Sequence, residues 1–68
     1  MAQTLFNATG ITADNTTALK DAGSAISGVK WVNVMQDKIV VTHEDNFDDS
    51  AFVSAIKNAD DNVSLNKA

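Results

Sequence analysis

The side chains best equipped for chemistry in this 68-residue chain are nine carboxylates, a single histidine (His43) and the thioether of Met35. There is no Cys, and the five cationic side chains are all Lys, so Arg is missing too. Without Cys there is no thiolate nucleophile, zinc finger or soft-metal thiolate site. Without Arg there is no bidentate fork for phosphate or carboxylate, so phosphate chemistry lacks its usual cradle. His43 stands alone, and base or triad catalysis needs a neighbour positioned against the imidazole. It reads as a solvated loop residue. Met35 lies beside a turn, where a lone Met is more often a surface cover or gap-filler than a ligand. A working carboxylate pair requires a shielded pocket that shifts one pKa, and a chain this short has little interior to offer. No enzyme is expected, and neither catalytic nor cofactor-binding residues are assigned.

The elements that would position these groups follow from periodicity. Phe6 and Ala8 alternate with Asn7 and Thr9, which predicts a strand over 4–9 ended by Gly10. Thr12 is placed as N-cap of a helix running to Ser27, with Asp14 in its first turn and Leu19, Ala22, Gly23 and Ile26 as its apolar stripe. Gly23 on that stripe predicts a close approach to the sheet, and Gly28 closes the helix. Val29–Met35 and Lys38–Thr42 pair as a hairpin if Gln36-Asp37 is the turn. Val34 then faces Ile39 and Val32 faces Val41, with Trp31, Asn33, Val40 and Thr42 on the other side. Gln-Asp is a poor primed turn, which leaves a longer loop open. Phe47, an Asp48 N-cap and Phe52 form a hydrophobic staple at the start of a second helix, whose stripe is Phe52, Ala55, Ile56 and Ala59. Val63-Ser64-Leu65 is a short final strand.

The order strand–helix–strand–strand–helix–strand predicts one α+β domain over 1–68. Its expected form is a ferredoxin-like βαββαβ sandwich, a four-stranded antiparallel sheet with two helices on one face. In that topology Asp14, Asp37, Asp60 and Asp61 share one rim, offset by Lys38. They serve as caps, turns and solubilising charge, as a docking surface for a basic partner, or as a weak oxygen site for a hard cation. Glu44, Asp45, Asp48 and Asp49 cluster at the other end without the spacing of a calcium loop, and helix capping accounts for them. Trp31 joins Leu5 and Val40 in an apolar strip on the open side of the sheet. It either covers its own sheet beside Thr42 or forms an interface.

Net charge −4 disfavours nucleic acid and anionic membrane as partners and leaves a basic protein as the compatible class. No stretch reads as a membrane span or a secretory leader, so a soluble, cytoplasmic chain is expected. The triplets at Asn7, Asn15 and Asn62 that match glycosylation acceptors are then by-products of composition.

Gly10-Ile11-Thr12-Ala13-Asp14-Asn15-Thr16 resembles the metal-binding loop of heavy-metal-associated domains, the modules of copper chaperones and metal-transporting ATPases. Their loop reads Gly-Met-Thr-Cys-x-x-Cys. Gly10 and Thr12 match, Ile11 replaces Met, and Ala13 and Thr16 occupy the two cysteine positions. Leu19, Ala22, Ile26, Gly28-Val29, Val32 and Val34 continue the pattern, as do Phe52, Ala55-Ile56 and Ala59. Asp60-Asp61 stands where a Gly-Tyr pair often follows the second helix. The resemblance implies a copper-carrier scaffold, yet soft copper needs sulfur ligands and Ala13 and Thr16 supply none. The expectation is a degenerate member with no metal site, acting as an interaction or regulatory module. Its partner-binding residues would be Ile11, Thr12, Asp14, Trp31, Asp60 and Asp61, on a monomer or weak homodimer. The alternative is a metal carrier that binds through carboxylates, Met35 or ligands from a partner.

Overall fold

The computed structural model describes residues 2–68. The elements run β1 (Ala2–Thr9), α1 (Thr16–Ser24), β2 (Val29–Val34), β3 (Lys38–His43), α2 (Asp49–Ala59) and β4 (Ser64–Lys67). All strand pairs are antiparallel, in the order β2-β3-β1-β4. Both helices pack on one face, which is the expected ferredoxin-like sandwich.

The hairpin forms in the expected register. Val34 pairs with Ile39, Val32 with Val41, and Trp31 with Thr42. The Met35 amide donates to the Lys38 carbonyl at 2.8 Å, so Gln36-Asp37 is the turn. Among the described residues only Gly10 and Gly28 have positive φ, so this turn is not a type I′ or II′. Instead the Asp37 carbonyl accepts from the Ala8 amide at 2.8 Å, which ties the turn to β1. One adjustment appears nearby: a bulge between Val29 and Trp31 leaves Lys30 as the extra residue at the start of β2.

The core is built from alternate strand positions and one stripe per helix. Phe6, Ala8, Val32, Ile39 and Val41 from the sheet meet Leu19, Phe52 and Ile56 from the helices, with Val63 just ahead of β4. Phe6 stacks on Phe52 at 5.3 Å. Asp48 caps α2 by accepting from the Ser50 and Ala51 amides at 3.0 and 3.3 Å, and Phe47 meets Phe52 edge-on at 5.8 Å. The staple is as expected.

Several expectations need correction. Helix α1 begins at Thr16 rather than Ala13, and Asp14 lies in the preceding turn. It ends at Ser24, after which Ile26 and Val29 donate to Gly23 and Ile26 carbonyls in successive tight turns. Gly28 therefore serves the turn into β2, at φ +87, rather than the helix cap. The close approach at Gly23 is chiefly to the other helix: a Cβ there would lie 2.6 Å from Phe52 Cε1, and 3.3 Å from Val32 Cγ2. In the last turn of α2 Ala59 is exposed, and the final strand starts one residue late.

Candidate functional site

The loop between β1 and α1 folds around one side chain. Asn15 Oδ1 accepts from the Thr12 amide at 2.8 Å, while its Nδ2 donates to the Gly10 carbonyl at 3.1 Å and to Asp60 Oδ2 at 2.8 Å. The Thr16 hydroxyl donates to the Thr12 carbonyl at 2.7 Å. These local bonds compete with helical ones and delay the helix by three residues. Thr12 is thus a partner inside the turn rather than a cap. Gly10 has φ +85, and a Cβ there would run into the Asn62 carbonyl, so the loop lies directly against the α2–β4 turn. Asp60 is fixed between Asn15 and the Asn62 amide, which donates to its Oδ1 at 3.0 Å. Those bonds, the Asn15 amide foremost, lower its pKa below the usual carboxylate value.

Ala13 and Thr16 line an open depression of about 410 Å³ together with Ile11, Thr12, Val34, Met35 and Gln36. Ile11 is half-buried against the core, and Met35 is 41% exposed. Asp14 and Asp61 are exposed, Asp60 is half-buried, and Asp37 is held at the same end through its carbonyl. Among the described residues no three His, Cys, Asp or Glu side chains converge on a point that could hold a metal ion. At the cavity itself the side-chain donors are the Met35 thioether, the Gln36 amide and the hydroxyls of Thr12 and Thr16, the last already bonded to the Thr12 carbonyl, so one soft ligand stands among hard neutral ones. This set does not fit cuprous ion, which wants two or more soft sulfur ligands, or zinc, which wants nitrogen, thiolate or carboxylate.

Trp31 does not join this cavity. It is 57% exposed on β2, an edge strand, with Lys20 Nζ of α1 4.4 Å from its ring centroid. The lysine thus covers part of the ring in a cation–π contact.

His43 is not a solvated loop residue. It ends β3 and is only 8% exposed. Its ring stacks on Phe47 at 4.2 Å, with Nδ1 2.9 Å from the Glu44 carbonyl and Nε2 2.7 Å from Thr4 Oγ1. A carbonyl only accepts, so Nδ1 carries a proton; in the neutral ring Nε2 accepts from the Thr4 hydroxyl. The imidazole is a satisfied core group. The inward parity of Ile39 and Val41, extended by two residues, would have placed it there. Of the carboxylates at this end Asp48 caps α2 and Asp49 lies in its first turn, as expected, while Glu44 instead pairs with Lys30 at 3.1 Å and Asp49 also pairs with Lys67 at 2.9 Å. The role of Asn15 had a partial signal in its spacing from Thr12, but its bond to Asp60 spans 45 residues.

No family profile and no curated protein matches the chain. Solved structures do. A copper-binding domain of HMA7, a P-type ATPase, superposes with a TM-score of 0.86 at 19% identity, covering 100% of this chain and 95% of that one. The CopZ metallochaperone gives 0.84 at 20%, covering 96% and 100%. The apo copper chaperone of Enterococcus hirae gives 0.79 at 23%, covering 96% and 98%. The fold is therefore the one that these heavy-metal-associated copper-binding domains and chaperones adopt. Where the resemblance places sulfur ligands, this chain has Ala13 and Thr16.

Proposed function

We propose that the chain is a non-catalytic, cytoplasmic interaction or regulatory module, one domain over 1–68, built on a copper-carrier scaffold from which the thiolate site has gone. A protein partner with a basic surface docks at the loop rim, where Ile11 and Thr12 offer contact area and Asp14, Asp60 and Asp61 supply charge. Trp31 provides a second contact surface on the sheet. The observation that carries this reading is the cavity at Ala13 and Thr16: it keeps a shaped depression at the end of the scaffold while offering no ligand set for a soft ion. Charge complementarity at such a rim raises the encounter rate and selects against acidic competitors. The test is capture of partners by the intact domain and by an Asp14→Lys/Asp61→Lys variant at low and high salt. Loss of the same partners on charge reversal and at high salt supports the reading; equal capture by both proteins contradicts it.

A metal carrier remains the second reading, and Met35 is the observation in its favour, since its thioether lines the same cavity as Ala13 and Thr16. One thioether is too few for a soft ion, so this route needs ligands from a second chain. It predicts dimerisation that appears with cuprous ion and disappears with chelator, which size measurement would reveal.

A further inference from the structure

The sheet has two open edges, β2 and β4, and they differ. The β2 edge is interrupted by the bulge at Lys30, whose ammonium pairs with Glu44, and Lys20 lies over the neighbouring Trp31. Bulges and lysines of this kind discourage another strand from pairing. The β4 edge instead pairs with β1 in unbroken register, from Thr9 opposite Ser64 to Phe6 opposite Lys67. The Ala68 amide donates to the Leu5 carbonyl at 2.9 Å, which fixes the parity of the ladder. Ser64 and Asn66 therefore turn their backbone groups toward β1, and Leu65 and Lys67 turn theirs to the open side. Lying opposite Ala8 and Phe6, the same two residues send their side chains to the helix face. There the gap between β4 and α2 holds two depressions, of about 400 and 260 Å³, that meet at Val53. Phe6 and Lys67 line the first, and Val63, Leu65 and Lys57 line the second.

We propose that the β4 edge and this groove receive an extended segment of a partner protein. It adds antiparallel beside β4, with apolar side chains over Val53 and a carboxylate at Lys57. Three observations select that occupant. The open amide and carbonyl groups of Leu65 and Lys67, two residues apart, match the main chain of a strand, which pairs through every second residue. A strand seated there turns alternate side chains into the groove, whose Val53 and Leu65 are only half-buried and offer apolar contact. The charge follows from two lysines. Lys67 is neutralised by Asp49 at 2.9 Å, whereas Lys57 has no carboxylate within ion-pair distance among the described residues. An acidic side chain at the Lys57 end therefore completes the groove. A second copy offering its own β4 brings Ser64, Leu65, Asn66 and Lys67, and no carboxylate. With so short a stretch of strand pairing the contact is weak, with a Kd of roughly 0.1–1 mM. It is separate from the loop rim and stands whether or not a basic partner docks there.

The test follows amide shifts of the full chain during titration with an end-capped peptide, Val-Thr-Val-Thr-Glu-Thr, to ~5 mM, above the expected Kd. Laid antiparallel to β4, it turns both valines and the glutamate into the groove, and the valine amides meet Lys67 and Leu65. The expected result is saturable shifts at residues 63–68 and on α2 at Val53 and Lys57, with slower hydrogen exchange at the Leu65 and Lys67 amides. Exchanging the peptide's glutamate for lysine, or Lys57→Glu in the protein, weakens binding at least ~3-fold, as expected for a solvent-exposed ion pair. The lysine peptide with the Lys57→Glu protein restores it. Methylating both valine nitrogens of the peptide abolishes binding, whereas methylating the threonine nitrogens, which point away from β4, is tolerated. Absence of saturable shifts at 63–68 overturns the proposal, as do shifts confined to residues 10–16 or to Trp31. Equal binding by the valine-methylated peptide, or indifference to the charge at Lys57, also overturns it. So do shifts of Leu65 and Lys67 on concentrating the free chain, which would make a second copy the occupant.

Discussion

At the scale of single residues, His43 and Asn15 show how much a side chain can do without touching a ligand. His43 bridges β1 and the 44–47 link by bonding Thr4 and the Glu44 carbonyl across a stacked Phe47. Replacing it with Ala opens a cavity and strands two polar partners, so His43→Ala should cost about 2–3 kcal/mol, read from urea unfolding. A cost within error of zero would mean that the ring is not the tie described. Asn15→Ala removes three hydrogen bonds of the 10–16 loop and should lower Tm by about 4–8 °C, the equivalent of ~1 kcal/mol in a domain this size. Faster hydrogen exchange at the Thr12 amide should accompany it. The inward parity of β3 made His43 legible in the sequence; its polar neighbours Thr42, Glu44 and Asp45 masked it. The Asn15–Asp60 bond was not legible, because a contact across 45 residues leaves no local pattern.

Asp60 carries the pH dependence at this scale. Its pKa is lowered from 3.8 by the Asn15 amide and the Asn62 amide, and that of Asp49 by Lys67. A carboxyl whose folded pKa lies below its unfolded value binds protons more readily in the unfolded chain. Its stabilising contribution is therefore complete above about pH 4 and drains away as pH falls through the folded value. Acid unfolding below pH 4 should be shallower in Asp60→Asn, and chemical-shift titration should place the Asp60 midpoint below the usual carboxylate value. A midpoint at or above that value would refute the bond pattern assigned to the loop.

At the scale of elements, the sequence carried most where one pattern had one solution. The Val32/Val41 and Val34/Ile39 register, the Asp48 cap and the Phe47–Phe52 staple all rest on short-range spacing, and all appear in the structure. The start of α1 was hidden, because Thr12 is a good N-cap by type but Asn15 captures its amide first. Gly23 was readable as a close approach, but the partner needed the tertiary arrangement. A Cβ at that position would press on Phe52 at the α1–α2 contact, so Gly23→Ala should destabilise by about 1–3 kcal/mol despite the better helix propensity of Ala. A stabilised Gly23→Ala protein would show that the two helices sit further apart.

At the scale of the whole molecule, a fold shared with copper-binding domains and chaperones is combined with a sequence that has no cysteine. The strands hold no carboxylate while the loops at both ends are rich in them, so acidic groups gather at the loop ends and the charged side chains within the strands are Lys30, Lys38 and Lys67. The fold was legible from element order, and the likeness of the first loop to a metal-binding one from Gly10, Thr12 and the spacing of Ala13 and Thr16. The depression that Met35 lines was not, since it depends on the hairpin turn meeting the first loop in space. The most direct measurement is titration of the chain with cuprous ion under reducing conditions, followed by amide shifts, alongside an Ala13→Cys/Thr16→Cys variant. The account predicts no stoichiometric change around residues 11–16 in the natural sequence and one-equivalent binding once the two sulfurs are supplied. Tight one-to-one binding by the natural sequence at those positions would contradict it.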